Sequence, residues 1–397
     1  MTPDRIVVVG GSVAGLSAVE ALRKDGYRGR LVLIGEERHL PYDRPPLSKQ
    51  LLSGKWPVEQ INLRASTDYE SLDLDFRVGR KAVRLDRTRR AIDLDDGNEV
   101  RYDKLIIATG VYARHLPFGH DLQGVHTLRT LDDCQRLGAE LLEYKTVVVI
   151  GAGFLGTEVA ATARGLGCSV TLVDPQSSPI PNFGALVGER LAGLHQEKGV
   201  RLCFNAKPVC FDSNGGRVSQ VHLDTGEILP AGLVVVAVGS SPTVDWLSDS
   251  GLCLDDGIVC DKFLRATEEI SAIGDVSKWY HPKLQTHLRV EHRMNAVEQG
   301  ISVAQNLLRG RAEFAPVPFF WTDQYDLKIQ AYGRFPRNAT VKIVDGDPQG
   351  PAFVAAYESE GQMVGVLGWN AFKQIQRWRT LLKESLEQST TDSKQHD

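Results

Sequence analysis

The sequence lacks a closely spaced pair of cysteines. Its six cysteines are scattered, and no two of them are two to four residues apart. A zinc cluster or a Cys-x-x-Cys redox pair is therefore not expected, and we predict no metal site. The missing redox pair distinguishes the chain from proteins that relay electrons through an active-site disulfide. We interpret the cysteines as small buried apolar residues of a protein from a reducing compartment; they are residues 134, 168, 203, 210, 253 and 260.

Long apolar runs and an excess of positive charge are also absent. The longest apolar segments, such as Leu233–Val238, are the length of a strand, and none is long enough to cross a bilayer. The 46 basic and 50 acidic residues give a net charge of −4, which excludes a general nucleic-acid-binding surface. No secretory signal is expected, because the chain runs almost directly into a strand-like segment. We therefore expect a cytoplasmic protein.

Two strand–turn–helix–strand units organise the first 240 residues. The first unit has a β-branched strand at 5–9 and a second strand at 31–34, and the second unit has strands at 147–150 and 169–173. Each unit carries a glycine-rich turn between its first strand and its helix. A chain of 397 residues is longer than a single hydrophobic core usually supports, so more than one domain is expected. The pattern predicts two dinucleotide-binding domains of the doubly wound α/β class.

The first glycine-rich turn predicts a pyrophosphate site at the start of a helix. Gly10 permits the tight turn, and Gly15 permits close approach of the helix to the strand. Ser12 stands where a second glycine is usual, and it is small and can donate a hydrogen bond to phosphate. Ala14 completes the turn, and Glu36, after the second strand, is placed to bind the ribose hydroxyls.

The second turn has all three of its glycines, Gly151, Gly153 and Gly156. Its acid is Asp174, which directly follows the second strand of the unit. A carboxylate there accepts hydrogen bonds from a free 2′-hydroxyl and repels a 2′-phosphate, and no basic residue follows immediately. The sequence therefore predicts that NADH is preferred over NADPH.

A third region begins near Pro316 and predicts an α+β domain. Its alternating segments predict short strands, and a helix is expected over about 370–386. The polar tail, residues 388–397, has no apolar anchors and is expected to be disordered. The predicted strands are 328–332, 339–344, 352–358 and 362–366.

Five segments together resemble the FAD-dependent ferredoxin reductases that serve aromatic-ring dioxygenases and some cytochrome P450 systems. They are LPYDRPPLSKQLLSGK (40–55), ATG (108–110), VIGAGFLGTEVA (149–160), AIGDV (272–276) and FFWTDQYD (319–326). The resemblance implies a two-domain flavoprotein fold like that of glutathione reductase, with a further C-terminal domain. It implies an FAD-binding domain at 1–110 and 235–315, an NADH-binding domain at 111–234 and a C-terminal α+β domain at 316–397.

The same resemblance implies roles for individual residues. Lys49 is expected near the flavin, where a cation stabilises developing negative charge, and Arg44 lies in the same segment. Glu158 is expected to face the nicotinamide, and Trp321 to close the flavin site from the C-terminal domain. Lys49, Glu158 and Trp321 are thus the catalytic candidates. The resemblance adds further cofactor-binding candidates: Thr109, Gly110, Arg129, Gly239, Asp275 and Glu291.

Two positions depart from the family pattern. Arg293 stands where a tryptophan is usual, which predicts a flavin-site wall that is more open or more positively charged. Thr243 replaces a usual asparagine.

The resemblance implies an NADH-dependent reductase that passes electrons singly to a 2Fe–2S ferredoxin or a rubredoxin-like carrier. We expect a monomer or weak dimer. Two alternatives remain open at this point: an NADH-dependent flavin oxidase, and a redox-signalling flavoprotein of the apoptosis-inducing-factor-like type. An acidic carrier requires a basic patch near the flavin. Its candidate residues are Arg334, Arg337, Lys342, Arg377, Arg379 and Lys383.

Overall fold

The computed structural model of the chain describes residues 3–392. Within this range the helices are α1 (Val13–Lys24), α2 (Leu131–Glu143), α3 (Phe154–Gly165), α4 (Gly184–Glu197), α5 (Arg293–Leu308) and α6 (Gln374–Asp392). The strands before α3 are β1 (Arg5–Val9), β2 (Arg30–Gly35), β3 (Asp75–Val78), β4 (Ala82–Asp86), β5 (Ala91–Leu94), β6 (Glu99–Arg101), β7 (Lys104–Ile107), β8 (Val111–Ala113), β9 (Val125–His126) and β10 (Thr146–Ile150).

The strands after α3 complete the described chain. They are β11 (Ser169–Asp174), β12 (Arg201–Phe204), β13 (Pro208–Asn214), β14 (Arg217–Leu223), β15 (Ile228–Pro230), β16 (Leu233–Val236), β17 (Ser240–Pro242), β18 (Ile258–Cys260), β19 (Ile270–Ala272), β20 (Ser277–His281), β21 (Thr286–Leu288), β22 (Phe319–Gln324), β23 (Leu327–Gly333), β24 (Thr340–Gly346), β25 (Phe353–Ser359) and β26 (Gln362–Trp369).

Two five-stranded parallel sheets have the same plan. Their strand orders are β3-β2-β1-β7-β19 and β12-β11-β10-β16-β9. In the first sheet β1 lies between β2 and the later strand β7, and in the second sheet β10 lies between β11 and the later strand β16. The central strands are fully buried runs of valine and isoleucine, as expected for a sheet covered on both faces. Each sheet therefore has a switch point at the carboxyl ends of its central strands, where doubly wound folds bind ligands.

The glycine turns leave β1 and β10 at these switch points. Gly10 has φ +125°, and a Cβ there would lie 2.1 Å from the carbonyl oxygen of Ala108, at the end of the neighbouring strand. Gly151 repeats this geometry with φ +102° and a distance of 2.3 Å to the carbonyl oxygen of Ala237. In both units only glycine fits between the two central strands, so each helix starts close to the sheet edge.

A two-stranded ribbon lies between the two parallel units. It is the antiparallel pair β8 and β17, and beside it the Thr109 hydroxyl donates a 2.9 Å hydrogen bond to the carbonyl of Thr243. The remaining small sheets are β4-β5-β6, β13-β14-β15 and β18-β20-β21.

The C-terminal region is a five-stranded antiparallel sheet, β22-β23-β26-β25-β24, with α6 packed against it. Its other face packs on the second parallel unit through α4, where Val187 and Leu191 belong to one buried apolar cluster with Ile329 and Phe353. The sequence prediction missed β22, although this strand carries Trp321. The predicted disorder is wrong for residues 388–392, because α6 continues to Asp392; residues 393–397 lie outside the described part of the chain.

Four of the six cysteines are buried, and Cys210 and Cys253 are exposed, so the expectation of buried cysteines is wrong for these two. All six are free thiols. Across residues 3–392 no helix combines the length and apolar character needed to cross a membrane.

Candidate active site

A cleft of about 2010 Å³ runs along the carboxyl ends of the central strands of the first sheet and into the second unit. This volume exceeds the roughly 300–1,000 Å³ of an ordinary small-molecule site. Most predicted site residues line it: Gly10, Ser12, Ala14, Glu36, Arg44, Lys49, Thr109, Gly110, Arg129, Gly153, Glu158, Gly239, Asp275, Glu291 and Trp321.

Four predicted residues do not line this cleft: Gly15, Gly151, Gly156 and Asp174. The glycines serve packing instead, since a Cβ at Gly15 would lie 2.1 Å from the carbonyl oxygen of Gly10. A Cβ at Gly156 would lie 1.8 Å from the carbonyl oxygen of Gly151. Both turns thus depend on helix–strand contacts that exclude any side chain.

Lys49 and Glu158 form an ion pair at the junction of the two units. The Lys49 ammonium lies 2.8 Å from Glu158 Oε2, and the two side chains are 13% and 8% exposed. Lys49 follows the Pro45–Ser48 turn, where Pro45 and Pro46 restrict the backbone, and Glu158 projects from the first turns of α3. Residues 109 positions apart in the chain are therefore held together in a largely desolvated setting.

Two hydroxyl groups also donate to the Glu158 carboxylate. The Ser48 hydroxyl lies 2.5 Å from Oε2, and the Thr322 hydroxyl lies 2.8 Å from Oε1. Ser48 comes from the first unit and Thr322 from β22, so three parts of the chain meet at this carboxylate. Sequence reasoning missed both residues. The available signal was their position, since Ser48 precedes Lys49 and Thr322 follows Trp321.

Arg44 anchors the proline-rich loop. Its guanidinium donates to Glu37 Oε1 at 2.6 Å and to the carbonyl of Arg129 at 2.7 Å. Tyr42 supports the same arrangement by donating to Glu37 Oε2 at 2.5 Å. Arg44 lines the cleft, but its described hydrogen bonds hold the loop against the segment that leads into α2.

Arg129 and Asp275 lie on the same wall of the cleft. The Arg129 guanidinium donates to Asp275 Oδ2 at 2.9 Å and to the carbonyl of Val111 at 3.1 Å. The structure therefore brings together two predicted cofactor-binding residues that are 146 positions apart. Glu36, at the far end of the cleft, pairs with Lys81 at 2.8 Å.

The Asp174 carboxylate is bonded to the second glycine turn. Its Oδ2 accepts from the Ala152 amide at 2.6 Å, and its Oδ1 accepts from the Gln176 amide at 2.8 Å. The residue therefore holds the turn in place in addition to its predicted role toward a ribose.

An aromatic group closes the cleft on the side of the C-terminal sheet. Trp321 lies edge-on to His292 with ring centroids 4.0 Å apart, and it stacks on Phe319 at 5.7 Å. Burial, together with the charges of Arg293 and Lys49, lowers the pKa of His292 to about 4. The imidazole is therefore neutral at physiological pH. Sequence reasoning did not select His292, although it lies between the singled-out Glu291 and Arg293.

Arg293 is paired with Asp43. Arg293 Nε donates to Asp43 Oδ1 at 2.5 Å, and both residues line the cleft. A carboxylate from the proline-rich loop therefore compensates the guanidinium in this chain, and the expectation of a more open or more positively charged wall stays a prediction. Glu291 accepts from the Ser240 hydroxyl at 2.6 Å.

The predicted basic patch has mixed surroundings. Lys342 pairs with Glu358 at 2.5 Å, and the Arg379 guanidinium lies over the Tyr332 ring at 5.0 Å. Arg337, Arg377 and Lys383 are exposed, and Arg334 is half-buried. A common docking role for these residues stays a prediction.

The cleft fits an FAD and a nicotinamide dinucleotide. A Cβ built at Gly153 would meet no atom within 4 Å, so the middle of the second turn opens onto space. Two buried polar atoms on the cleft wall, His292 Nδ1 and Trp246 Nε1, have no hydrogen-bond partner among the described residues. Backbone amides at two helix starts and unpartnered polar atoms suit ligands rich in phosphate and ring nitrogens.

Two family models match the chain. The model of the pyridine nucleotide-disulphide oxidoreductases matches residues 4–300, and the model described as reductase C-terminal matches residues 319–396.

Curated relatives resemble the chain over most of its length. A ferredoxin–NAD(+) reductase component of an anthranilate 1,2-dioxygenase system from Burkholderia cepacia is 34% identical over 388 residues, which cover 96% of this chain and 95% of the relative. Rhodocoxin reductase from Rhodococcus erythropolis is 36% identical over 331 residues, which cover 83% of this chain and 78% of the relative.

A similar solved structure is that of the covalent putidaredoxin reductase–putidaredoxin complex. It has a TM-score of 0.92 and 29% identity, and the match covers 96% of this chain and 93% of that chain. The ferredoxin reductase for the CYP199A2 system from Rhodopseudomonas palustris has a TM-score of 0.89 and 33% identity, covering 92% of this chain and 91% of that chain.

Proposed function

Since the chain belongs to the pyridine nucleotide-disulphide oxidoreductase family, we propose that it is an NADH-dependent ferredoxin reductase. It takes hydride from NADH onto bound FAD and passes electrons one at a time to a 2Fe–2S ferredoxin or a rubredoxin-like carrier that feeds an oxygenase. One observation carries this proposal: the Lys49–Glu158 ion pair lies in one cleft that reaches both glycine-turn units. The names of the relatives support it, because they include reductases of ferredoxin, rubredoxin and putidaredoxin.

The two parallel-sheet units have separate roles in this proposal. The first unit binds FAD along Gly10 and Ser12, with Glu36 toward the ribose and Asp275 and Arg129 along the inner wall. The second unit binds NADH across Gly153, with Asp174 selecting against a 2′-phosphate. We assign residues 1–110 and 235–315 to the FAD domain, 111–234 to the NADH domain and 316–397 to the C-terminal domain.

The bound flavin supplies the chemistry of hydride acceptance and single-electron release. The residues of this chain provide charge and shape around it. Lys49 places a fixed cation where negative charge develops, in a setting where few water molecules screen it. Glu158 fixes the position of that cation through the 2.8 Å ion pair. Trp321 and His292 exclude water from the C-terminal side of the cleft.

The carrier reaches the flavin from outside the cleft in a transient encounter. We propose that the protein works in the cytoplasm and that it is a monomer or weak dimer.

Anaerobic stopped-flow spectroscopy of the FAD-loaded protein tests the proposal. We expect NADH to bleach the flavin band rapidly, NADPH to act at least tenfold more weakly because of Asp174, and an added 2Fe–2S ferredoxin to restore the band rapidly. Restoration only by oxygen would contradict the carrier and indicate an NADH oxidase. Slow turnover with a long-lived charge-transfer band would indicate a signalling flavoprotein instead.

A further inference from the structure

A connected group of buried polar side chains lies behind the Lys49–Glu158 pair. Six of the twelve buried polar or charged side chains in residues 3–392 belong to it. Their concentration in one place is notable because buried polar groups are costly unless they are hydrogen-bonded. The six are Ser48, Thr157, Glu158, His195, Thr322 and Gln324.

The contacts form a chain that leads away from the cleft. Gln324 Nε2 lies 3.1 Å from the Thr322 hydroxyl and 2.8 Å from the Thr157 hydroxyl. Gln324 Oε1 lies 2.8 Å from His195 Nε2, on α4. The Tyr325 hydroxyl lies 3.2 Å from His195 Nδ1 at the end of the chain. Thr322 and Gln324 alternate along β22, so both side chains project from the same face of the strand.

The Glu158 carboxylate fixes the direction of every hydrogen bond in this chain. Thr322 must donate its single hydroxyl proton to Glu158, since an ionised carboxylate only accepts. Thr322 can then only accept from Gln324, which points the amide nitrogen of Gln324 toward it. The amide oxygen of Gln324 consequently faces His195, so His195 Nε2 must carry a proton.

The hydrogen bond at the other ring nitrogen of His195, Nδ1, is consistent with this assignment. Burial lowers the pKa of His195, which favours the neutral ring, and Nδ1 is then free to accept a proton from a hydroxyl. Burial raises the pKa of Tyr325 to about 12, so its phenol retains the proton that it donates. From Tyr325 through His195, Gln324 and Thr322, each donor therefore points toward Glu158.

We propose that His195 is a positioning residue for the hydride-transfer site and acts through Gln324 and Thr322 to hold the Glu158 carboxylate against Lys49. His195 contacts neither cofactor nor substrate in this proposal. When His195 Nε2 carries no proton, Gln324 Oε1 has no donor, and the amide is held only by the hydrogen bonds that its nitrogen donates to Thr157 and Thr322, so it can turn over. Thr322 then donates to Gln324, and Glu158 Oε1 loses its hydrogen bond. The carboxylate then keeps only the two donors on Oε2, Ser48 and Lys49, so its Oε1 end can shift and the Lys49 ammonium can shift with it.

This inference rests on the proposed function, and its test separates the two. Stopped-flow reduction by NADH is measured for the FAD-loaded wild type, His195→Leu, His195→Gln and Thr322→Val. We expect His195→Leu and Thr322→Val each to slow flavin reduction about tenfold, the effect of a lost hydrogen bond to a charged group. His195→Gln keeps a side-chain N–H donor and is expected to stay within about threefold of wild type.

The double variant distinguishes positioning from general destabilisation. If His195 acts through Thr322, His195→Leu combined with Thr322→Val reduces flavin no more slowly than Thr322→Val alone. Multiplied effects would overturn the proposal, as would a His195→Leu variant within twofold of wild type. A wild type that NADH does not reduce would instead overturn the proposed function.

Nitrogen-15 NMR of the histidine rings provides a reading that does not depend on activity. We expect His195 of the wild type to be neutral and protonated on Nε2 at pH 7, with or without NADH. A ring protonated on Nδ1 would reverse the hydrogen-bond direction and overturn the proposal.

Discussion

The Lys49 ammonium and the Glu158 carboxylate lie 2.8 Å apart, although one belongs to the first glycine-turn unit and the other to the second. Glu158 also accepts from Ser48 and Thr322, so the carboxylate has three donors and its orientation is fixed. A cation held this way needs no rearrangement when negative charge develops beside it. The pair thus joins the two dinucleotide-binding units at the point where hydride transfer is proposed.

Replacing Lys49 by methionine should slow the reductive half-reaction. Lys49→Met keeps the aliphatic stem but removes the charge, and it leaves Glu158 without its cation. We expect flavin reduction by NADH to slow about 100-fold, the typical effect of losing one preorganised electrostatic group. Lys262→Met, which removes a half-buried partner of Glu313 outside the cleft, serves as the control. Equal rates for the two variants would contradict the role assigned to Lys49.

Removing Asp43 should expose the charge of Arg293. Asp43→Asn keeps a hydrogen-bond acceptor but removes the negative charge that lies 2.5 Å from the Arg293 guanidinium at the cleft wall. We expect the second-order rate of electron transfer to an acidic 2Fe–2S ferredoxin to rise about two- to fivefold at low ionic strength, because opposite charges steer association. The difference should disappear at roughly 1 M salt, where the Debye length is about 3 Å.

Asp212→Asn is the matched control for this experiment, since Asp212 pairs with His222 at 2.8 Å outside the cleft. The prediction that the uncompensated Arg293 charge attracts the carrier fails if Asp43→Asn and Asp212→Asn behave alike at every salt concentration.

The sequence was informative where a function depends on a local pattern. Gly10 and Gly151 follow buried β-branched strands, and the structure places both at switch points with positive φ. Such turns are recognisable because the steric demand for glycine lies within a few neighbouring residues. Lys49 and Trp321 were selected by family resemblance, and the structure places both on the wall of one cleft. Their catalytic roles stay predictions.

Contacts between distant segments could not be predicted in the same way. The partner of Arg293 is Asp43, 250 positions away, so nothing in the local pattern indicated that its charge is compensated. His195 contacts Gln324, which is 129 positions away in the chain. From the sequence alone, a buried histidine on a helix cannot be distinguished from an ordinary core residue, because the strand that faces it is not known. The helical residues 388–392 were misread because their sequence is polar, and α6 is anchored by Ile375 and Leu382 earlier in the helix.

Acid should destabilise the protein through its buried neutral histidines. Burial lowers the pKa of His195, His281 and His292, the last to about 4. Below the unfolded pKa of about 6.5, the unfolded state binds protons that the folded state does not. Stability is therefore complete above pH 6.5 and falls as the pH decreases toward 4.

His292→Phe isolates one of these contributions, because a phenylalanine ring can keep the contact with Trp321. The free energy of unfolding of this variant, relative to wild type, should rise by up to about 1.4 kcal/mol for each pH unit below 6.5. Guanidinium titrations at pH 7.5, 6 and 5 with excess FAD measure the difference. Parallel pH profiles for the two proteins would show that His292 is not held neutral.

Alanine substitutions in the second glycine turn and its helix should separate ligand binding from folding. A Cβ at Gly153 meets no protein atom within 4 Å, and the backbone there has φ −72°, so Gly153→Ala should fold normally. The methyl group occupies the space proposed for the pyrophosphate, and we expect the Kd for NADH to rise at least tenfold. Gly165→Ala, on the same helix and equally open, should leave that Kd unchanged. Gly151→Ala should instead destabilise the fold, because its Cβ would lie 2.3 Å from the carbonyl oxygen of Ala237. Unchanged NADH binding by a folded Gly153→Ala variant would place the dinucleotide elsewhere.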